Sequence, residues 1–210
     1  MPFYNLPMPV EEILQDVDFY LVTHIHPDHI DMLPDGTVGA PLHKEVPVIC
    51  QNESDAAVFR KSGFSDVTVL PAEGMDFGEA KLISVPAHHG TVVPCGEAIG
   101  VMFESAKEKT FYLAGDTVWY PEVAQTLKIY QPEVIALNCC AAETVENGRL
   151  IMNDEDVECV AKSAPQARLY LTHFDNVAHA SITRHTMRGR LAERGVANYD
   201  MPEDGKTLEY

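Results

Sequence analysis

The sequence is poor in basic side chains: 15 lysines and arginines stand against 32 aspartates and glutamates, for a formal charge of −17. Such a surface repels phosphate backbones and anionic membranes, so neither nucleic acid nor a membrane is an expected partner. Long apolar runs are missing too, and nothing approaches the ~20 residues that a bilayer-spanning helix needs. The first residues, MPFYNLPMPVEEIL, carry neither a basic n-region nor an apolar h-region, so no secretory signal is read there. Cysteine is scarce: Cys50, Cys95, Cys139, Cys140 and Cys159 are odd in number and irregularly spaced. That argues against a disulfide framework and for a reduced, cytoplasmic protein. Internal repeats, low-complexity tracts and linkers are absent as well, so residues 1–210 are read as a single domain.

What is present points to a soluble α/β protein. Apolar residues make up 46% and charged residues 22%, enough for one sizeable core. Helices are expected at Val10 to Gln15, Asp28 to Leu33, Glu53 to Lys61, Pro121 to Tyr130, Asp154 to Ala164 and Ile182 to Arg194. Strands are expected at Phe19 to Val22, Pro47 to Cys50, Val67 to Leu70, Val134 to Leu137 and Leu169 to Leu171. Lys81 to Val85, Ile99 to Glu104 and Thr110 to Leu113 read as an antiparallel meander between them. The alternation suggests sheet covered by helices on its outer faces.

The chain's chemistry concentrates where strands end. FYLVTHIHPDH runs from an apolar strand into three histidines and one aspartate within six positions. Residues two apart on a strand share a face, so His24 and His26 can point at one metal ion, leaving Asp28 and His29 for a second. Pro27 stiffens the loop by fixing its own φ and biasing His26 towards an extended backbone. Later strands end in PAHHG, AGDT and THFD, and loops at strand ends are where α/β layers build sites.

With THIHPDH, PAHHG, AGDT and THFD in that order, the chain resembles the metallo-β-lactamase superfamily, and more narrowly the small metal-dependent hydrolases related to L-ascorbate-6-phosphate lactonase. The resemblance implies an αββα sandwich holding two divalent cations, zinc first, with manganese or iron as alternatives. It implies that His24 and His26 bind the first ion, that Asp28 and His29 bind the second, that Asp116 bridges both, and that His173 completes the second set. Of the adjacent His88 and His89, the family's P-A-x-H spacing selects His89 for the first ion and leaves His88 as a pocket wall or as a support for one of the ligands. The implied activity is hydrolysis of a small ester, lactone or phosphoester by a hydroxide carried on the metals. Asp28 would orient that hydroxide and accept its proton, and His179 would protonate the leaving group or hold the substrate, unless it only packs near a helix start. An iron-dependent oxidoreductase, or a metal-binding protein without catalysis, is the alternative.

The surroundings carry further expectations. Histidine ligands pass their second N–H to an oxygen, and Asp31, Asp35 and Asp175 are the candidates by sequence proximity. Cys139 and Cys140 read as core or pocket-wall thiols rather than a redox pair, because adjacent cysteines form strained disulfides. Trp119 and Tyr120 either line the pocket or pack their loop. Arg190 and Arg194 suit the C-terminal end of a helix dipole. Members of the family begin with a strand pair ahead of the HxHxDH strand, which the Pro-rich Met1 to Pro9 cannot supply. Either the start lies further upstream or the fold lacks that hairpin, in which case a homo-oligomer is expected to cover the exposed edge.

Overall fold

Helix α1 (Val10–Ile13) leads into β1 (Tyr20–Val22) in the computed structural model, which describes residues 5–210. The expectation that Met1 to Pro9 supplies no strand lies, for residues 1–4, outside the described residues; residues 5–9 carry none. β1 pairs in parallel with β2 (Val48–Cys50), and β2 with β3 (Val67–Val69), giving a three-stranded sheet. Between β2 and β3 runs α2 (Glu53–Lys61). Asn52 caps it by accepting a hydrogen bond from the Asp55 backbone N–H, and Gly63 (φ +89°) lets the chain turn away after it.

The second sheet holds seven strands. The antiparallel part is β4 (Met75–Phe77), β5 (Ala80–Pro86), β6 (Ile99–Ser105) and β7 (Phe111–Leu113). Parallel strands follow: β8 (Val134–Asn138), β11 (Arg168–Thr172) and β12 (Tyr199–Asp200), in the order β12-β11-β8-β7-β6-β5-β4. A small hairpin, β9 (Glu143–Thr144) with β10 (Gly148–Arg149), stands apart. Three helices, α3 (Pro121–Tyr130), α4 (Asp154–Ser163) and α5 (Arg184–Glu193), alternate with the parallel strands. Pro121 opens α3, where its missing N–H costs nothing, and Asn153 and Thr183 cap the other two.

Alternation along the strands assigns the layers. Val48 and Cys50 pack with Ala56 and Phe59 of α2, whereas Ile49 between them meets Leu82 and Val101 of the larger sheet. On β6, Val101 faces that inter-sheet layer and Met102 the opposite one. There Tyr112, Ile135, Leu137 and Leu169 bury against Val123 and Leu127 of α3, Val157 and Val160 of α4, and Leu191 of α5. The result is the expected αββα sandwich of the metallo-β-lactamase kind.

One expected helix is absent. Residues 28–33 form turns and then a bridge, Met32 to Val38, closed by hydrogen bonds from Leu33 N–H to the Thr37 carbonyl and from Gly39 N–H to the Asp31 carbonyl. Pro34 disfavours helical backbone at Leu33, and the turn aims Asp28 and His29 back at the site. Strands β4, β9, β10 and β12 were not expected; three of them are two residues long.

Candidate metal centre

Four strand ends meet at one place. After β1 the chain extends through His24 and His26, then turns tightly as the His26 carbonyl accepts hydrogen bonds from His29 and Ile30 N–H (3.0 and 2.9 Å). β5 delivers His89, β7 delivers Asp116 through Gly115 (φ +65°), and β11 delivers His173, itself in the left-handed region at φ +70°. A non-glycine residue held there costs free energy, and such strain gathers at functional sites.

The donor atoms fall into two groups, His24, His26 and His89, and Asp28, His29, Asp116 and His173, each with its atoms within 4.8 Å of one another. In the first, His26 Nδ1 and His89 Nε2 face each other at 3.2 Å, and His24 Nε2 is buried with no hydrogen-bond partner. In the second, His29 Nε2 lies 3.4 Å from His173 Nε2 and 3.2 Å from Asp116 Oδ2, and His173 Nε2 is 3.5 Å from Asp28 Oδ2. Asp116 Oδ2 also stands 3.6 Å from His24 Nε2 and 3.7 Å from His89 Nε2, between the two groups. Ring nitrogens converging on one another and on shared carboxylates, one of them buried and without a hydrogen-bond partner, are an arrangement that a cation satisfies. Nitrogen and oxygen donors without thiolate suit zinc, manganese or iron. The residues present therefore fit a pair of divalent ions.

The outward-facing atoms are oriented by groups to which the sequence reading gave no such role. His24 Nδ1 lies 3.1 Å from Thr23 Oγ1, and His89 Nδ1 is 3.0 Å from the Leu150 carbonyl. His173 Nδ1 is 3.6 Å from Cys140 Sγ, and Asn138 Nδ2 donates to Asp116 Oδ1 at 2.6 Å. None of the aspartates expected in this role takes it: Asp35 accepts from Thr37, Asp175 pairs with Arg184, and Asp31 lines the adjoining cavity. Thr23 adjoins His24 in sequence, but the other partners arrive from the end of β8, the residues just past it and the segment after β10, where sequence proximity does not point.

Burial dominates the electrostatics of the first group. It pushes His24 down to about 3 and His26 below its ordinary value, so both rings are neutral at neutral pH, as ligation requires. Asp28 and Asp116 are raised by burial but held well below the carboxylate range by the histidines beside them. In the absence of metal, burial lowers His173, yet its contacts with Asp28 and Cys140 outweigh that and push it up to about 10.

Beside the second group opens a cavity of 650 Å³, lined by Asp28, His29 and His173 and by apolar Ile30, Phe174 and Val177. His179 lines it too, with Nε2 3.2 Å from Asp28 Oδ2. Arg184, paired with Asp175 and Asp204, is the cation on its wall. Of the other expected residues, His88 is exposed, 5.3 Å from the Tyr120 ring, outside both donor groups. Trp119 and Tyr120 pack against the main core, and Cys139 and Cys140 are buried free thiols.

Comparison with known proteins agrees with this architecture. Residues 1–174 match the family described as the beta-lactamase superfamily domain. The UPF0173 protein YddR of Bacillus subtilis (strain 168) is 33% identical over 214 positions, covering all of this chain and 82% of the relative. An isothiocyanate hydrolase from Delia radicum gut bacteria superposes with a TM-score of 0.90 at 31% identity, over 100% of this chain and 84% of that one. A possible metal-dependent hydrolase from Veillonella parvula DSM 2008 gives 0.91 at 32% identity, over 99% and 82%.

Proposed function

The chain belongs to the beta-lactamase superfamily and, within it, to the UPF0173 group of metal-dependent hydrolases, and from that premise we propose that it hydrolyses a small ester, lactone or phosphoester at a two-metal site. The observation that carries this reading is the pair of donor groups joined by Asp116, opening on a cavity of substrate size. Two divalent ions, zinc in the first instance, would supply an activated water at neutral pH and polarise the substrate's electrophilic centre. His24, His26 and His89 would hold one ion, and Asp28, His29 and His173 the other, with Asp116 shared.

The chain's own residues do the rest. Asp28, ionised and facing the cavity, orients the attacking water by accepting its hydrogen bond and takes up its proton. His179, beside Asp28, returns a proton to the leaving group. Ile30, Phe174 and Val177 receive an apolar substrate body and exclude bulk water from it.

A second reading of the substrate is an isothiocyanate, supported by the 31% identity to an isothiocyanate hydrolase across the full chain and by the apolar cavity wall. Water's oxygen would bond to the central carbon, the C–N bond would break, and the nitrogen would leave as an amine with carbonyl sulfide as the other product. Both of water's protons would pass to that nitrogen, one of them by way of His179 on the cavity wall beside Asp28.

The test is metal analysis of the purified protein together with a panel of lactones, aryl esters, bis-p-nitrophenyl phosphate and an aryl isothiocyanate. Two ions per chain with turnover of any panel member support the reading, and the member turned over assigns the centre attacked. One iron per chain and no hydrolysis would move the assignment to oxidoreductase chemistry.

A further inference from the structure

β8 lies between β7 and β11 in the larger sheet, with Leu113 opposite Ala136 on one side and Thr172 opposite Asn138 on the other. Asp116 follows β7 and His173 follows β11, so the end of β8 flanks both. Its last residue and the two that follow it read Asn138-Cys139-Cys140. Asn138 reaches one neighbour, with Nδ2 2.6 Å from Asp116 Oδ1, and Cys140 the other, with Sγ 3.6 Å from His173 Nδ1.

This strand end is fixed by its own backbone. Cys139 N–H donates to the Thr172 carbonyl (3.2 Å), Ala141 N–H to the Met152 carbonyl (3.0 Å), and the Cys140 carbonyl accepts from Ser181 and Ile182 N–H (3.1 and 2.9 Å). Cys140 is fully buried, and Ala141 is held at φ +52°. The first donor group takes no support from here: His89 is oriented by the Leu150 carbonyl and His24 by Thr23.

We propose that Asn138 and Cys140 are positioning residues of the metal centre, Cys140 setting the affinity of the second metal position through His173 and Asn138 acting on both positions through the shared Asp116. Asn138 occupies Asp116 Oδ1, so that Oδ2 alone faces the histidines. Cys140 accepts the His173 Nδ1–H, which leaves the Nε2 lone pair directed inward. Thiol sulfur thus stands where a carboxylate or carbonyl usually orients a histidine ligand. The inference rests on the two-metal reading above.

Dissociation constants for zinc, measured by chelator competition on wild type, Cys140→Ala, Cys140→Ser and Asn138→Ala, test it, alongside thermal midpoints of the metal-free proteins. Cys140→Ala is expected to weaken the second ion about 10–100-fold and leave the first unchanged. Cys140→Ser, which keeps an acceptor, should recover most of that loss. Asn138→Ala, by freeing the shared carboxylate, should weaken both ions. If both cysteine variants lower the metal-free midpoint but bind the second ion as wild type does, the residues only pack and the proposal is overturned. A wild-type chain that takes up no second ion overturns the two-metal reading and this proposal together.

Discussion

Gly115 shows how narrowly the site is built. Its φ of +65° belongs to the left-handed region, and a Cβ there would meet the Ile99 carbonyl oxygen at 2.8 Å. The neighbour is backbone and cannot swing aside, so Gly115→Ala shifts the turn that presents Asp116. It should cost about 1–3 kcal/mol of stability and also reduce bound metal, read by denaturant unfolding and elemental analysis on the same preparation. Normal metal content in a destabilised variant would separate the turn from the site. His179 has the opposite profile, since it touches Asp28 but belongs to neither donor group. His179→Ala should lower kcat about 100-fold or more with two ions still bound. Equal loss of metal and rate would make it a structural residue instead.

At the level of elements, α4 and α5 are joined by charge as well as by apolar contact. Asp154, buried at the start of α4, accepts from Arg190 (2.9 Å) and Arg194 (2.7 Å) of the α5 end. Burial raises its pKa, but the two arginine hydrogen bonds outweigh that and bring it below the ordinary value. The stabilisation is then complete above the unfolded value of about 3.9 and is lost as pH falls through the lower folded value. Asp154→Asn should destabilise by about 1–2 kcal/mol at neutral pH, the arginine ends being partly exposed and screened. The gap to wild type should close only below pH ~4; a gap that already shrinks between pH 7 and 5 would assign the effect to other groups. Helices α2 and α3 were legible to the residue, because Asn52 and Pro121 are local signals. That His24, His26, Asp28 and His29 converge was legible for the same reason, since strand, spacing and turn sit together in THIHPDH, whereas Asp116, His89 and His173 followed from the family resemblance. What supports them was not: Asn138, Cys140 and the Leu150 carbonyl meet their ligands only through sheet order. Arg190 and Arg194, read as partners of a helix dipole, are tied to another helix 36 and 40 residues away in sequence.

Across the whole molecule the donors come from both layers of the sandwich. His24, His26, Asp28 and His29 follow β1 of the three-stranded sheet, whereas His89, Asp116 and His173 follow strands of the seven-stranded one. Each donor group draws on both sheets, so a cation in either links layers otherwise held by the inter-sheet apolar cluster around Ile49, Leu82 and Val101. The unfolded chain separates these residues and cannot offer both groups at once, so metal binds the native state preferentially and its removal should lower the midpoint. At free metal of 100 times Kd one site contributes about 2.7 kcal/mol. For a chain of this size that is a shift of about 5–10 °C. Chelation followed by a thermal scan should show this loss, and adding zinc back should reverse it. Because the His24, His26 and His89 group converges without any residue of the second group, His29→Ala should keep part of the shift, whereas His24→Ala with His89→Ala should lose the first ion's share. An unchanged midpoint on chelation would mean that no ion binds the native state preferentially, and would count against a bound metal pair.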